Sequence, residues 1–351
     1  MPAVHIARPA TILAPHKITT DQIVDNIRAH HPNHPRLTAI CRILNNVGVN
    51  TRYFTRPLDA PTVSGTAPIG DRAHAAFQDA LGLAEQAAHT TLTRHGLGPA
   101  DIDGIVTTHS TGWAVPNLDI HLIHRLGLRP TVRRTALTTL ACAGGTQALI
   151  RATEMAALRP GSRILVVAAE VISAIYNHAD DQVEHMIYKG LFGDSAAATI
   201  VSTTPHGPGL TVHDPAGDSF EYVLPHSLTR YSGRIDSTGL HFDSTKEALT
   251  AADDVLPTLL DWLDGRTIDV PVIHPGSQRI ITDTVTALGH NEGAARHSLD
   301  TLADEGNLGG PSVLRVLERT HDDPPADGAS ALMVAYGPGF NVAALRAAWT
   351  G

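Results

Sequence analysis

The chain carries one short pattern twice, once near its middle and once near its C-terminal end. Cys142-Ala-Gly-Gly and Asn307-Leu-Gly-Gly lie 165 residues apart, and each is followed by a leucine at the same spacing. Ile102-Asp103 and Ile268-Asp269, which lie 166 residues apart, each open an apolar, strand-like run. A third pair keeps the same order: GDS at 193–195 and DGA at 327–329. Each match is weak alone, but together they predict two halves of similar design, with the Cys142 and Asn307 turns meeting at one central site.

Apolar runs alternate with Ala-rich stretches along the chain, a pattern that predicts an α/β layered fold. The Pro- and Gly-rich stretch Thr203–Gly217 is the best candidate boundary, and it divides the chain into residues 1–205 and 206–351. The predicted strands are Gly104–Thr108, Arg163–Ala168, Ala198–Ser202, Val270–Ile273 and Ala331–Tyr336. The predicted helices are His74–His95, Asn117–Leu126, Gly145–Ala157 and Gln278–Leu288.

Composition excludes several classes of function. A net charge of −9 argues against a general nucleic-acid binder, which usually has a basic excess. Cys41 and Cys142 are the two cysteines, too few for a disulfide framework and without the CxxC spacing of a zinc site. The N-terminus lacks a signal-peptide pattern, and no run approaches the roughly 20 apolar residues of a membrane span. We therefore predict a cytoplasmic protein with no metal site and no nucleic-acid or membrane partner.

Cys142 lies in the run TTLACAGGTQALIRATEM. An apolar stretch precedes it and a helical pattern follows, which predicts a strand, a tight turn and a helix that begins near Cys142. Gly144 and Gly145 would allow close approach of a substrate or another backbone, and the helix N-terminus would favour a thiolate. A buried structural cysteine is the alternative, and the local sequence leaves both interpretations open.

His274 and Asn307 are each ambiguous when considered alone. His274 follows an apolar strand in VPVIHPGSQRII, but the chain has 21 histidines. Asn307 lies in DEGNLGGPSVL, where an asparagine beside a glycine is usually a turn residue.

Considered together, CAGGT at Cys142, HPGS at His274 and GNLGGPSVL around Asn307 resemble the type III, chalcone-synthase-like polyketide synthases in order and spacing. Three further segments extend the resemblance from about Ile40 to Phe340: RILNNVGVNTRY at Arg42–Tyr53, GLFGDSA at Gly190–Ala196 and YGPGF at Tyr336–Phe340. The resemblance implies a thiolate-based condensing enzyme with the thiolase-like, layered αβαβα fold, made of two pseudo-duplicated halves.

The resemblance also implies a mechanism and a set of substrates. Cys142 would take an acyl group from a coenzyme A thioester, and His274 and Asn307 would hold the thioester oxygen while malonyl-CoA loses carbon dioxide. Positioned N–H donors suit this chemistry, because negative charge develops on that oxygen. The product would cyclise to a pyrone, a resorcinol or a related aromatic compound. Coenzyme A thioesters would be the substrates, without a further cofactor, and a homodimer would be the working form.

Further residues carry implied roles. Phe192 and Phe242 would be aromatic gates of the cavity, Gly233 would shape its floor, and Arg42 would contact the coenzyme A phosphates. The segment Ser110–Asp119 would lie at the dimer interface. The remaining predicted cavity residues are Ser110, Val115, Ile172, Ile175, Gly309 and Pro338.

Several of these positions depart from the plant pattern. Val115 replaces a methionine that reaches into the partner's cavity, Gly309 replaces a serine, and Asn46 stands where a coenzyme A-binding lysine is usual. Ile172 and Ile175 replace threonines and make the cavity more apolar. These changes, with Ser110 in place of a cysteine, argue against chalcone synthase and against naphthalene formation.

Three alternatives stay open from the sequence. A β-ketoacyl-acyl-carrier-protein synthase III-like enzyme shares the Cys, His and Asn set, although the HPGS and GPG segments favour the polyketide branch. A hydroxymethylglutaryl-CoA synthase-type enzyme would need a carboxylate base, for which Glu170 is available. A catalytically silent scaffold subunit would usually have lost the nucleophile, which is present here.

Overall fold

The computed structural model describes residues 1–351, except for the side chains of Leu249 and Ala251. The strands are β1 Val4–Ala7, β2 Ala10–Leu13, β3 His16–Thr19, β4 Thr51–Phe54, β5 Gly104–His109, β6 Arg133–Thr138, β7 Arg163–Glu170, β8 Ser195–Ser202, β9 Gly209–Val212, β10 Ser219–Val223, β11 Tyr231–Asp236, β12 Gly239–Ser244, β13 Val270–Ile273, β14 Ser330–Gly337 and β15 Asn341–Thr350. The helices are α1 Thr20–His30, α2 Leu37–Asn45, α3 Pro61–Ser64, α4 Ile69–Arg94, α5 Leu118–Leu126, α6 Gly144–Leu158, α7 Val183–Leu191, α8 Ala251–Leu263, α9 Gln278–Ala287, α10 Arg296–Glu305 and α11 Pro311–Thr320.

One mixed sheet of 11 strands runs through the molecule in the order β13-β14-β15-β9-β1-β8-β7-β5-β6, with β10 beside β15 and β2 beside β8. Strand β5 pairs in parallel with both β6 and β7, and β13 pairs in parallel with β14. The strands before and after residue 205 occupy opposite ends of this sheet and join where β1 pairs with β9. The division of the chain at residue 205 stays a prediction.

Helices α6 and α11 form the central layer of the fold. Their apolar residues share one core cluster with strands from both ends of the sheet, including Leu149, Leu314, Val106 and Met333. Helices α4 and α5 cover a second cluster on one end of the sheet, and α8, α9 and α10 cover a third on the other end. The predicted αβαβα layering is therefore confirmed.

The small residues of α6 explain its central position. Ala148, Ala152 and Ala156 are all fully buried, as is Leu149. A helix with a wide apolar face packs that face inside the molecule, and alanines allow neighbouring elements to approach it closely. Burial of a leucine side chain contributes about 1.5–3 kcal/mol to folding, so this layer stabilises the two turns that precede α6 and α11.

Each predicted strand and helix lies at its expected place, with small changes at its ends. The largest change is in α4, which begins at Ile69 rather than at His74, directly after Pro68. None of the described helices is both long and apolar enough to span a bilayer.

Candidate active site

The Cys142 segment forms the strand, turn and helix that its sequence predicts. Strand β6 ends at Thr138, Cys142 lies in a single 3-10 turn, and α6 begins at Gly144. Thr139 and Ala141 have positive φ angles of 60° and 46°, which are costly for residues with a side chain. The hydroxyl oxygen of Ser110 accepts a hydrogen bond of 2.8 Å from the Ala141 backbone and stabilises this turn. The turn holds the Cys142 thiol inside the molecule, 8% exposed.

The Asn307 turn begins after α10 and leads into α11. The Asn307 backbone pairs with the chain around Phe192: its N–H donates to the Leu191 carbonyl at 2.9 Å, and its carbonyl accepts from Gly193 at 3.0 Å. Its side-chain Oδ1 accepts a hydrogen bond of 2.9 Å from the Gly309 backbone. These bonds fix the amide plane, so that Nδ2 is directed towards the site.

The two turns meet, as the duplication predicts. The Cys142 sulfur lies 3.8 Å from both Oδ1 and Nδ2 of Asn307. The backbones of the two turns also approach each other closely. A Cβ atom built on Gly145 would lie only 2.1 Å from the Gly310 carbonyl oxygen. Only glycine fits at position 145 without a backbone shift. The N-termini of α6 and α11 therefore lie close together beside the Cys142 turn, and the partial positive charge of a helix N-terminus favours an anion.

His274, the third predicted residue, is buried and is linked to the Asn307 turn through Gly276. It follows β13 directly, and its backbone N–H donates to the Val334 carbonyl at 2.8 Å. Its imidazole is 1% exposed, and neither ring nitrogen has a hydrogen-bond partner among the described residues. Asn307 Nδ2 lies 3.5 Å from the carbonyl oxygen of Gly276, two residues after His274, so the HPGS segment links the histidine to the asparagine. A buried polar group without a partner is costly, so the His274 nitrogens are free to bond to a molecule that enters the site.

Burial determines the electrostatics of the site. It raises the pKa of the Cys142 thiol to about 12 and lowers the pKa of the His274 imidazole to about 3. Both shifts express the cost of placing one charge in a region without water. Transfer of the proton from Cys142 to His274 would create two opposite charges that stabilise each other, and the two helix N-termini add to the stability of the thiolate.

An aromatic cluster lies near Cys142. The rings of Phe192 and Phe242 meet edge to face with centroids 6.1 Å apart. Tyr188 packs on Phe192 at 5.6 Å, and Tyr231 packs on Phe242 at 5.8 Å. Burial raises the pKa of both tyrosines, and the nearby Cys142 adds to each shift. The two tyrosines were not predicted from the sequence, although Tyr188 precedes Phe192 by four residues, the spacing of neighbours on a helix.

Gly309 and Ile172 form one wall near the Asn307 turn. Gly309 has a φ of 66°, and a Cβ atom built there would lie 3.0 Å from Glu170 Cγ and 3.2 Å from Ile172 Cδ1. The Glu170 carboxylate is buried, which raises its pKa, and its Oε2 accepts hydrogen bonds from the backbones of Ser110 and Thr111. These bonds hold the loop after β5 against the end of β7, so Glu170 has a structural role here.

The other predicted residues lie further from the sulfur or on the surface. Gly233 is exposed on β11, opposite Phe242, and Pro338 lies in the turn between β14 and β15. Val115 is 79% exposed, and Ile175 is half-buried in the 3-10 turn after β7. Arg42 lies on α2 and lines a surface cavity of about 630 Å³ together with Arg28, Asn46 and neighbouring residues.

Comparison with known proteins shows what this fold and site resemble. Residues 6–205 match the family model for chalcone and stilbene synthases, N-terminal domain. The chain is 28% identical to 1,3,6,8-tetrahydroxynaphthalene synthase of Streptomyces griseus, over 98% of this chain and 92% of that protein. It is also 28% identical to phloroglucinol synthase of Pseudomonas fluorescens, over 97% and 98% of the two chains. The crystal structure of 1,3,6,8-tetrahydroxynaphthalene synthase from Streptomyces coelicolor, a bacterial type III polyketide synthase, superposes with a TM-score of 0.93 at 28% identity, covering 99% of both chains.

Proposed function

The chain belongs to the chalcone and stilbene synthase family and is a type III polyketide synthase, and from this premise we propose that Cys142, His274 and Asn307 carry out its condensation chemistry. The observation that carries the proposal is a buried thiol 3.8 Å from the Asn307 amide, whose Nδ2 also lies 3.5 Å from the Gly276 carbonyl oxygen, two residues after the buried His274 imidazole. The carrier-protein synthase and the silent scaffold, both open from the sequence, are set aside, because the matched relatives are polyketide synthases.

Loading uses the thiol and the imidazole. His274 accepts the proton of Cys142, and the thiolate attacks the carbonyl carbon of an acyl-CoA starter. The carbon–sulfur bond to coenzyme A then breaks, and the coenzyme A thiolate leaves with the proton from the imidazolium. The starter is now a thioester of Cys142.

Extension uses the imidazole and the amide. Malonyl-CoA places its thioester oxygen between His274 and Asn307 Nδ2, both as N–H donors. Loss of carbon dioxide leaves an enolate whose charge rests on that oxygen, where each donor is worth about 3–4 kcal/mol. The enolate carbon attacks the acyl carbonyl on Cys142 and releases the thiolate, and the chain leaves as a β-ketoacyl-CoA that can be loaded again. We propose that the repeated product cyclises to a pyrone, a resorcinol or a related aromatic compound.

The cavity residues set which chains fit. Phe192 and Phe242 face each other beside the catalytic group and would act as gates between an entrance and the cavity. Ile172 is buried against Gly309, which makes that wall apolar. Arg42, with Arg28 in the same surface cavity, would meet the coenzyme A phosphates. These reactions use the coenzyme A thioesters and need no further cofactor, because N–H donors meet the enolate charge. Both cysteines are free, consistent with a cytoplasmic location.

A homodimer would cover the most exposed apolar segment. Trp113 and Val115 are 77% and 79% exposed, and Ile235 nearby is 67% exposed. They line a largely apolar cavity of about 750 Å³ that also includes Ser110. A second copy placed over Ser110–Asp119 would remove these side chains from water. The interface would then lie close to the Cys142 turn, because Ser110 contacts that turn.

Product formation tests the function. Purified protein is incubated with malonyl-CoA and a panel of aliphatic and aromatic acyl-CoA starters, and products are identified by mass spectrometry. The wild type and the Cys41→Ala variant should form the same polyketide, and Cys142→Ala should form none. Cys41 is the matched control because it is the other buried free cysteine. Products from Cys142→Ala at the wild-type rate would contradict the proposed role of Cys142.

A further inference from the structure

Two histidines and an aspartate converge beside the aromatic cluster, outside the catalytic group. His185 lies on α7, His241 lies on β12, and Asp180 lies in the loop before α7. Their ligand-type atoms all lie within 4.8 Å of one another. The Oδ2 atom of Asp180 is 2.6 Å from His185 Nδ1 and 3.6 Å from His241 Nδ1. Both imidazoles therefore direct their Nδ1 atoms towards Oδ2 of Asp180.

The outer nitrogens of the two rings are held by other side chains. His185 Nε2 lies 2.9 Å from an Asp243 oxygen. His241 Nε2 lies 2.8 Å from the Thr238 hydroxyl and 3.2 Å from Asp236. The rings stack at a centroid distance of 5.3 Å. In metal sites the second nitrogen of a histidine ligand usually bonds to a carboxylate or another polar group, which fixes the ring.

The charges around the cluster leave one carboxylate available. Arg234 pairs with Asp236 and Asp243, so two of the three acidic groups already have a guanidinium partner. Across the part of the chain with described side chains, the Asp180 carboxylate is paired with no Lys or Arg. The ammonium group of Lys189 lies close to Asp180, but it donates to the backbone carbonyls of Asn177 and Asp180 rather than to the carboxylate. The Asp180 side chain is 10% exposed, so water can reach the group as a fourth ligand.

We propose that Asp180, His185 and His241 bind one divalent transition-metal ion, with zinc the best fit. Two imidazole nitrogens and a carboxylate oxygen are a common zinc donor set, at ligand distances of about 2.0–2.2 Å. Tetrahedral coordination at that length places ligand atoms about 3.3–3.5 Å apart. The contact of 3.6 Å already suits this geometry. The contact of 2.6 Å opens when the ion replaces the proton between His185 and Asp180.

The ion would link two elements that carry the aromatic gates. Helix α7 ends at Leu191, directly before Phe192, and His241 directly precedes Phe242. An ion held by both elements would fix the spacing of those two rings. This consequence rests on the proposed gates, whereas the metal site does not. Sequence spacing did not indicate the site, because Asp180 and His241 are separated by 61 positions and meet only through the β11–β12 hairpin.

Zinc binding to untagged, chelator-treated protein tests the proposal. Titration calorimetry and elemental analysis of the dialysed protein should give about one zinc ion per chain. His241→Asn and Asp180→Asn should each weaken binding by at least tenfold. The matched control is His89→Asn, an exposed histidine on α4, which should bind as the wild type does. Zinc should also raise the Tm of the wild type, and it should raise the Tm of both site variants by less at the same zinc concentration.

Each other outcome overturns the proposal. Absence of zinc binding by the wild type would mean that the cluster is an ion-pair network of imidazoles and carboxylates. Binding that is equal in the wild type and in both site variants would mean adventitious binding elsewhere. Circular dichroism shows whether His241→Asn and Asp180→Asn are folded. If one of them is not, the zinc affinity of the folded variant tests the proposal. None of these measurements depends on polyketide formation, so the metal site and the proposed function are tested independently.

Discussion

Asn307 lies 3.8 Å from the Cys142 sulfur, and its Nδ2 lies 3.5 Å from the carbonyl oxygen of Gly276, two residues after His274. Both His274 and Asn307 should donate to the malonyl thioester oxygen, but only His274 should also accept the Cys142 proton. Asn307→Ala should therefore still load a starter. It should decarboxylate malonyl-CoA about a hundred- to a thousand-fold more slowly, because one donor is lost. His274→Ala should impair both steps. Acyl loading and carbon dioxide release are measured separately on each variant. Decarboxylation by Asn307→Ala at the wild-type rate would refute the role assigned to Asn307.

The same pair of substitutions has a pH consequence for the thiol. Burial raises the pKa of Cys142, and the hydrogen bond with Asn307 opposes that shift. In the proposed mechanism a protonated His274 would oppose it further, because the two charges would stabilise each other. Without the imidazole, the thiolate forms only at higher pH. The iodoacetamide alkylation profile of Cys142, followed by peptide mapping, should move to higher pH in His274→Ala. Asn307→Ala should also move to higher pH, because a hydrogen bond that lowers the pKa of Cys142 is lost, but it should move less than His274→Ala, which loses an opposite charge. Equal profiles for His274→Ala and the wild type would show that His274 does not ionise the thiol.

At the residue scale, sequence reasoning proposed side chains that lie in short, ordered motifs. Cys142, His274 and Asn307 were predicted as the catalytic set because CAGGT, HPGS and GNLGG occur together in one order. Tyr188 and Tyr231 were missed, because what places them at the site is their packing on Phe192 and Phe242, which lie 50 positions apart. The Asp180, His185 and His241 cluster was missed for the same reason.

At the scale of elements, the close approach of α6 to the turn before α11 holds the catalytic group together. Gly145→Ala would place a methyl group 2.1 Å from the Gly310 carbonyl oxygen and force the two turns apart. We expect destabilisation of about 1–3 kcal/mol, seen as a lower Tm. Condensation should slow by about a hundred-fold, because small displacements of catalytic groups are costly.

A matched glycine in another helix separates crowding from helix propensity. A Cβ atom on Gly82, inside α4, would have no neighbour within 4 Å. Gly82→Ala should therefore stabilise the protein by about 0.5–1 kcal/mol and leave activity unchanged. If both alanine variants keep wild-type activity and Tm, the close approach is not needed for the site.

Helices and strands with long apolar runs or a clear helical repeat were predictable from the sequence. The short strands that pair beside them in the sheet were not. Strands such as β5 and β7 were placed within one or two residues, because long apolar runs between helical patterns are distinctive. Strands β1 and β9, which join the two ends of the sheet, are four residues each and were not predicted. Such short strands are specified by their pairing partners rather than by their own sequence.

At the scale of the whole molecule, the exposed Trp113 and Val115 predict self-association. The wild type should be a homodimer at micromolar concentration by light scattering. Val115→Asp should weaken the dimer by at least tenfold, because a charge would be buried at the interface. Leu158→Asp is the matched control, since Leu158 is 76% exposed on α6 and lines a different surface cavity. A wild-type monomer, or equal effects of both substitutions, would refute this interface.

The duplication has a physical meaning at this scale as well. Two turns of similar sequence precede two central helices, and the structure brings them to a separation of 3.8 Å between Cys142 and Asn307. That relation was predictable from the order and spacing of the matches. The shape of the cavity was not, because its walls combine residues as distant in sequence as Glu170, Ile172 and Gly309.

Covalent loading tests the central claim most directly. Wild-type protein, Cys142→Ala and Cys41→Ala are each incubated with acyl-CoA starters in the absence of malonyl-CoA, and the intact-protein mass is recorded. The wild type and Cys41→Ala should gain the mass of one acyl group, and Cys142→Ala should gain none, because Cys142 lies 3.8 Å from Asn307 and is the proposed nucleophile. An acyl adduct that persists on Cys142→Ala would contradict the account.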